Sequence, residues 1–364
     1  MGFATIENRG PGAQAHRVRG WVARSVMVLV AMSLLGVVTS CGSGATVSGP
    51  VPTGAAASGG AAGVVKVSLI MDWVPWVLDI PIDVAQAKGY YTRAGLRVTQ
   101  TVPTGPTDVV KFVSTDRSQF GLYYAPDILM AVADGAPIVS VASLMSHAPD
   151  GLAFPPGVKA SSPRALLGKV VAVPLIPSTR ASLQTMLQAA GMKPDDVRVV
   201  DPGFDLVAPL LAGKYAAVAV TKFGELVEAD QHGQKLSYLD FRDWGTPDFA
   251  FLNVIANGGF AKANPAIVRA FVAATLAGLE YAAAHPREAV SLYVGRHPEL
   301  QEGLLLAQWK AALPFMATAT GAAPAGYQDE QSWSALESWL VRTRLLSRRV
   351  ALGRVVSNQY LPTP

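Results

Sequence analysis

The chain has 364 residues, enough for two lobes with cores of their own, since domains commonly run ~100–200 residues. Its 30 Lys and Arg against 26 Asp and Glu give +4, but Arg9, Arg17, Arg19, Arg24 and Glu7 all precede Cys41, so 26 basic and 25 acidic residues remain beyond it. That remainder has no basic block of the kind nucleic acid demands, and its evenly spaced charges exclude a membrane bundle.

Arg17, Arg19 and Arg24 precede an apolar run, Val26–Val38, followed by Thr39-Ser40-Cys41. The run is shorter than the ~20 residues of a permanent membrane helix and suits an export signal. Val38-Thr39-Ser40-Cys41 resembles the lipobox of bacterial lipoproteins, whose cysteine takes lipid and becomes the new N-terminus. Cys41 is the only cysteine, so it closes no internal disulfide. Residues 1–40 therefore read as a lipoprotein signal peptide, with a plain secretory signal or an uncleaved anchor as the alternatives. Residues 41–63, rich in Gly, Ala, Ser and Thr, read as a flexible tether behind the lipidated cysteine.

The body begins near Val64. Val65–Met71 is apolar enough for a buried strand of a parallel sheet. Asp72-Trp73-Val74-Pro75 ends it, and Ile82–Lys88 carries a helical repeat with Gly89 as its stop. A strand that yields to a polar, aromatic turn and then a helix puts that turn at the carboxyl edge of a sheet, where open α/β folds bind small ligands. Leu96–Val102 is the next strand. Gly105 to Asp108 opens a helix with Val109, Val110, Phe112 and Val113 on its apolar face and Thr104 or Thr107 as its cap. Gln119–Tyr124 reads as strand, 125–133 as helix and Pro137–Leu144 as buried strand.

Ser146–Gly168, rich in Pro, Gly and Ser, reads as a surface passage between lobes. Alternation resumes with strand 169–173, helix Pro177–Ala190, strand 197–200, helix Phe204–Ala212, strand 215–220, helix 226–231 and strand 235–239. Phe249–Ala256 is a long apolar strand returning to the first lobe. Helices follow: one capped by Asn264 with Pro265 in its first turn, then 287–294, 302–313 and 332–345, the last with Trp333, Leu336, Trp339 and Leu340 on one stripe. The expected fold is α/β and two-lobed, each lobe a mostly parallel sheet flanked by helices. Residues 64–154 with 250–364 form one lobe and 155–249 the other. Two chain crossings make a hinge with the ligand cleft between the lobes.

No H-E-x-x-H, G-x-G-x-x-G, G-K-S/T or G-x-S-x-G pattern occurs. The histidines at 16, 147, 232, 285 and 297 are scattered, so neither a thiol enzyme, a metal site nor a cofactor is expected. Asp72, Trp73, Trp76 and Asp79 crowd the first turn. Either they offer a carboxylate and indoles to a flat ligand, or they cap a turn and cover the hinge. Tyr124 is a ligand-facing ring or a packed interlobe tyrosine. Ser178, Thr179 and Arg180 at a helix N-terminus suit phosphate, sulfonate or carboxylate, or form an ordinary cap. Glu225 accepts from an amine or ring N–H, or bridges the hinge by a salt bridge. Phe249 or Trp244 lines the cleft in the ligand reading.

Asp72–Pro75 (D-W-V-P), Ala87–Val98, Phe120–Asp127 (F-G-L-Y-Y-A-P-D), Asp195–Lys214 and Asn264–Ala282, in this order and spacing, resemble the NMT1/THI5-like substrate-binding proteins of bacterial ABC importers. The resemblance spans Val65 to Leu345. It implies a type II periplasmic-binding fold and a pyrimidine precursor of thiamine as solute, with riboflavin or an alkanesulfonate such as taurine carried by related branches. The family's first motif has asparagine and histidine where this chain has Trp76 and Asp79. Its pocket glutamate corresponds to Glu225, preceded by an aromatic, here Phe223. Gaining a ring and a carboxylate favours a flat, donor-bearing ligand over an anion. The fungal relatives that synthesise the pyrimidine use a cysteine-rich segment and a reactive histidine, which this chain lacks, so an enzyme on the same scaffold is the disfavoured class. The expected partners are a small heteroaromatic solute, an ABC permease with its ATPase, and the bilayer through Cys41. The protein is expected to be a monomer that does not bind nucleic acid.

Overall fold

The computed structural model describes residues 63–363 apart from 106, 204 and 322, so the signal, Cys41 and nearly all of the tether lie outside the described residues. In chain order the first part runs β1 (Val65–Ile70), α1 (Ile80–Ala87), α2 (Tyr90–Arg93), β2 (Leu96–Thr101), α3 (Asp108–Ser114), β3 (Phe120–Tyr124), α4 (Ala125–Ala133) and β4 (Ile138–Ser143). The second runs β5 (Asp150–Ala153), β6 (Val170–Ala172), α5 (Pro177–Ala189), β7 (Arg198–Val200), α6 (Val207–Leu211), β8 (Ala217–Thr221), α7 (Glu225–Gln231) and β9 (Tyr238–Asp240). The chain ends with β10 (Leu252–Asn257), α8 (Gly258–Ala263), α9 (Pro265–Ala284), α10 (Pro286–Val294), α11 (Glu302–Ala312) and α12 (Glu330–Arg342).

The strands form two sheets of one design, ordered β2-β1-β3-β10-β4 and β7-β6-β8-β5-β9. In the first, β1 pairs in parallel with β2 and β3, while β10 runs antiparallel between β3 and β4. In the second, β6 pairs in parallel with β7 and β8, and β5 runs antiparallel between β8 and β9. Alternate residues of the second sheet enter different cores. Leu152, Val171 and Ala219 pack on one face, while Ala153, Ala172, Val218 and Val220 pack on the other. A sheet covered on both sides reads as continuous apolar runs, which is why these strands stand out in the sequence.

The sequence misplaces three features. The passage 146–168 contains β5, whose Asp-Gly-Leu-Ala is too short and small to show a period; it is a strand because β8 and β9 pair with it on both sides. Gly151 is required there, since a Cβ would stand 2.3 Å from the Leu239 carbonyl oxygen. Neither Thr104 nor Thr107 caps α3 through its side chain. Asp108 turns back instead, accepting from the backbone N–H of Thr104 and Gly105 at 3.1 Å each and from the Thr104 hydroxyl. Asn264 precedes Pro265 as expected, but its side chain donates to the Phe260 carbonyl at 3.2 Å rather than capping α9. The stop at Gly89 holds: it takes φ +70° immediately after the α1 C-cap, Lys88.

Helix α9 packs along α1, and Gly278 lets the backbones meet. A Cβ there would lie 2.2 Å from the Pro81 carbonyl oxygen and 2.9 Å from the Ala85 Cβ. Gly278→Ala is expected to destabilise the fold by about 1–3 kcal/mol through overpacking. Urea denaturation checks this, and an unchanged midpoint would mean the helices separate at no cost.

Candidate functional site

The first sheet delivers its carboxyl edge to the site. The last rung between β1 and β2 is Met71 N–H to the Thr101 carbonyl at 2.9 Å, after which Asp72 leaves the sheet fully buried. The hydroxyl of Tyr124, the last residue of β3, donates to Asp72 Oδ2 at 2.8 Å and pins the turn. One step further, Asp79 Oδ2 accepts from the Trp76 N–H at 3.2 Å and from the Tyr293 hydroxyl at 3.3 Å. These bonds hold the Trp76 indole over Phe223, with ring centroids 5.7 Å apart.

Between the carboxyl ends of the two sheets lies a cavity, where open α/β folds take small ligands. Trp73, Trp76 and Tyr124 wall it from the first sheet, and Ser178, Thr179 and Glu225 from the second. Phe249 and Phe251, just ahead of β10, complete its aromatic side. Seven residues expected at a site thus share one cavity: Trp73, Trp76, Tyr124, Ser178, Thr179, Glu225 and Phe249. Asp72 and Asp79 stand behind the wall as supports of Tyr124 and Trp76. Phe223 is fully buried between Trp76 and Phe315. Arg180 is exposed and outside the lining, because a fourth helical position turns away from the first-turn residues Ser178 and Thr179.

Several wall residues carry no sequence signal. Asp150, Pro174, Ile176, Leu206 and Thr221 line the cavity, and Asp150 is hidden because its strand is hidden. Phe251 was within reach: two positions from Phe249 in extended chain, it faces the same side.

The N-terminus of α5, readable as an anion seat, is filled by the protein itself. Asp127, in the first turn of α4, accepts from the Ser178 hydroxyl at 2.6 Å and the Ser178 N–H at 3.4 Å. Burial pushes the Asp127 carboxyl up to about 6, with the Ser178 bonds opposing. Burial also raises Asp72 to about 6 against the Tyr124 bond and, less strongly, the Trp76 indole. The buried Trp76 Nε1 and Asp72 Oδ1 close no full-geometry hydrogen bond, so the indole eases the charge without satisfying it. Asp79 is raised well above the usual range by burial and then by Asp72. In the wall, burial raises Glu225, which Thr221 holds by its N–H at 2.8 Å and its hydroxyl at 2.9 Å. Asp150 is raised well above the usual range, first by burial and then by Glu225. Both side chains keep partial exposure and line the cavity. Among the described residues no Lys or Arg lines it.

Two mostly parallel sheets, each crossed by one antiparallel strand, with a cavity between their carboxyl ends, form the two-lobed fold of periplasmic binding proteins. The alkanesulfonate-binding protein SsuA of Xanthomonas axonopodis pv. citri superposes with a TM-score of 0.64 at 14% identity, over 82% of this chain and 99% of that one. The sequence model described as NMT1/THI5 like matches residues 79–289, and the chain belongs to that family. It is 30% identical to a formylaminopyrimidine-binding protein of Halalkalibacterium halodurans, over 75% of this chain and 84% of the relative. It is 28% identical to the riboflavin-binding protein RibY of Chloroflexus aurantiacus, over 87% and 92%. A 4-amino-5-hydroxymethyl-2-methylpyrimidine phosphate synthase of Saccharomyces cerevisiae is 25% identical over 82% and 88%. The family thus spans named binding proteins and named synthases.

The raised Asp127 carboxyl has a consequence for stability. With its value about 6 in the fold against an ordinary 3.8, the native state binds more protons than the unfolded chain between them. Its contribution therefore weakens stability as pH rises through that window. Asp127→Asn is expected to flatten the fall in melting temperature between about pH 4 and 6; an unaltered slope would place the carboxylate in contact with solvent.

Proposed function

We propose that this protein is the extracytoplasmic solute-binding component of an ABC importer, lipid-anchored through Cys41, and that it reversibly binds a small nitrogen heterocycle of the thiamine-pyrimidine type. The observation that carries the reading is the cavity itself, walled by Trp73, Trp76, Tyr124, Phe249 and Phe251, with the carboxylates Asp150 and Glu225 and no lining cation among the described residues. Aromatic faces stack a flat ring, and half-buried carboxylates accept from its amino and ring N–H groups. An alkanesulfonate would meet two acidic groups and no positive one. The likeness to the formylaminopyrimidine-binding protein supports the pyrimidine. A flavin is the second reading, favoured by the likeness to RibY over 92% of its length. Residues 64–154 with 250–364 and residues 155–249 serve as the hinged lobes, with β5 reaching across into the second. No bond of the solute is made or broken; turnover of a pyrimidine that disappears in Glu225→Gln would replace this reading with an enzyme.

Native mass spectrometry of the full-length protein, purified without denaturation, tests the ligand. A retained small pyrimidine is expected, a flavin would select the second reading, and a retained sulfonate would overturn both. Trp73→Ala is expected to weaken binding of that solute by more than ~1 kcal/mol in calorimetry, because aromatic residues in binding clefts act as anchors; equal affinity would remove Trp73 from the site. Cys41→Ser is expected to shift the protein from the membrane to the soluble fraction, and its retention in membranes would refute the lipid anchor.

A further inference from the structure

The polar wall of the cavity is unusually one-sided, and its second acid was not legible in the sequence. Asp150 opens β5 directly opposite Thr221 in the β5–β8 register. The same Thr221 holds Glu225 Oε2 through its N–H and its hydroxyl. A single threonine therefore fixes the strand partner of one carboxylate and the orientation of the other.

The groups around Asp150 leave its charge uncompensated. Glu225 bears on it from α7, Asp240 and Tyr238 from β9, Asp127 from α4 and Tyr124 from β3. Among the described residues Arg242 eases it, yet that guanidinium is committed to Asp240, with Nη2 to Oδ2 at 2.8 Å and Nε to Oδ1 at 3.1 Å. Lys222 is likewise drawn to Asp240 at 2.7 Å. Two carboxylates thus share a desolvated wall opposite aromatic side chains, whose faces attract cations. With no cation beside them these carboxyls are held toward the protonated form, and a solute that brings its own positive charge restores their ionised, acceptor-only state.

Resting on the proposed solute-binding role of this cavity, we propose that Asp150, paired with Glu225, is the specificity-determining residue that selects a solute carrying a protonated ring nitrogen beside an exocyclic amino group, so that the solute is held as a cation. An amidinium-type edge of this kind presents two N–H donors and one positive charge, which matches a pair of acceptors with no protein cation between them. A neutral oxo analogue of the same shape keeps the ring and loses the charge and a donor, leaving a buried carboxylate unpaired.

The test uses the full-length protein and two probes of nearly equal size, 4-amino-2-methylpyrimidine and 2-methylpyrimidin-4-one, titrated by calorimetry. The wild-type protein is expected to bind the amino probe at least about tenfold tighter than the oxo probe, as expected for a hydrogen bond to a charged group. Asp150→Asn is expected to reduce that preference by about tenfold or more while circular dichroism shows the protein folded. The wild-type comparison needs no variant and stands even if Asp150→Asn fails to fold. Equal binding of the two probes by the wild type, or an unchanged preference in folded Asp150→Asn, overturns this inference and leaves the solute-binding reading intact. Binding of neither probe overturns the inference together with the pyrimidine reading.

Discussion

The architecture depends on how the chain travels between its halves. Each passage ends in a strand placed inside the receiving sheet, β5 between β8 and β9 and β10 between β3 and β4, and each runs antiparallel to its neighbours. An antiparallel strand begins where its neighbours end. Asp150, the first residue of β5, therefore stands opposite Thr221, the last of β8, and Leu252, the first of β10, stands opposite Tyr124, the last of β3. The crossings thus deliver Asp150, Phe249 and Phe251 to the carboxyl edges that already carry Trp73 and Glu225. Interior placement also satisfies the backbone of each crossing strand on both sides, so crossing and cavity wall are made of the same well-bonded segments.

That arrangement explains what the sequence could and could not reveal. The parallel strands were legible because burial on both faces writes them as apolar runs, and most helices because Gly or Pro marks their ends. Strand β5 was not, since nothing in Asp-Gly-Leu-Ala distinguishes it from the Pro/Gly-rich passage around it; its partners lie some 65 to 90 positions on, near Ala219 and Leu239. The missed strand hid the missed carboxylate. Asp72 shows a different limit. Its position at a strand end marks the site correctly, but whether it faces a ligand or a neighbour depends on β3 lying beside β1, which brings Tyr124 to within 2.8 Å. Arg180 shows a third: nearness to a helix start was readable, whereas the helical phase that turns it outward became clear only once the helix was placed.

The buried acids around the site follow one rule. Tyr124 serves Asp72, Ser178 serves Asp127, and Thr221 serves Glu225, each through a hydroxyl and two of them also through a backbone N–H. Hydroxyl and amide donors satisfy a carboxylate over short reach without bringing a compensating charge, which is why these carboxyls remain raised rather than lowered. The contrast is Asp240, bound by Lys222 and Arg242, whose carboxyl is lowered. Cations are thus present near the cavity but are held on β9's own acid, outside the lining.

The same economy extends to the helix start beside the cavity. The N-terminus of α5, the element best suited to receive an anion from solution, faces the site and meets Asp127 instead. Its partial positive charge is neutralised internally, across the junction of the two halves. With that terminus occupied, Arg180 turned outward and Arg242 and Lys222 drawn to Asp240, the acids lining the cavity among the described residues are Asp150 and Glu225. The scaffold is one shared with an alkanesulfonate-binding protein, and in this chain Asp127 occupies the helix start that borders the cavity.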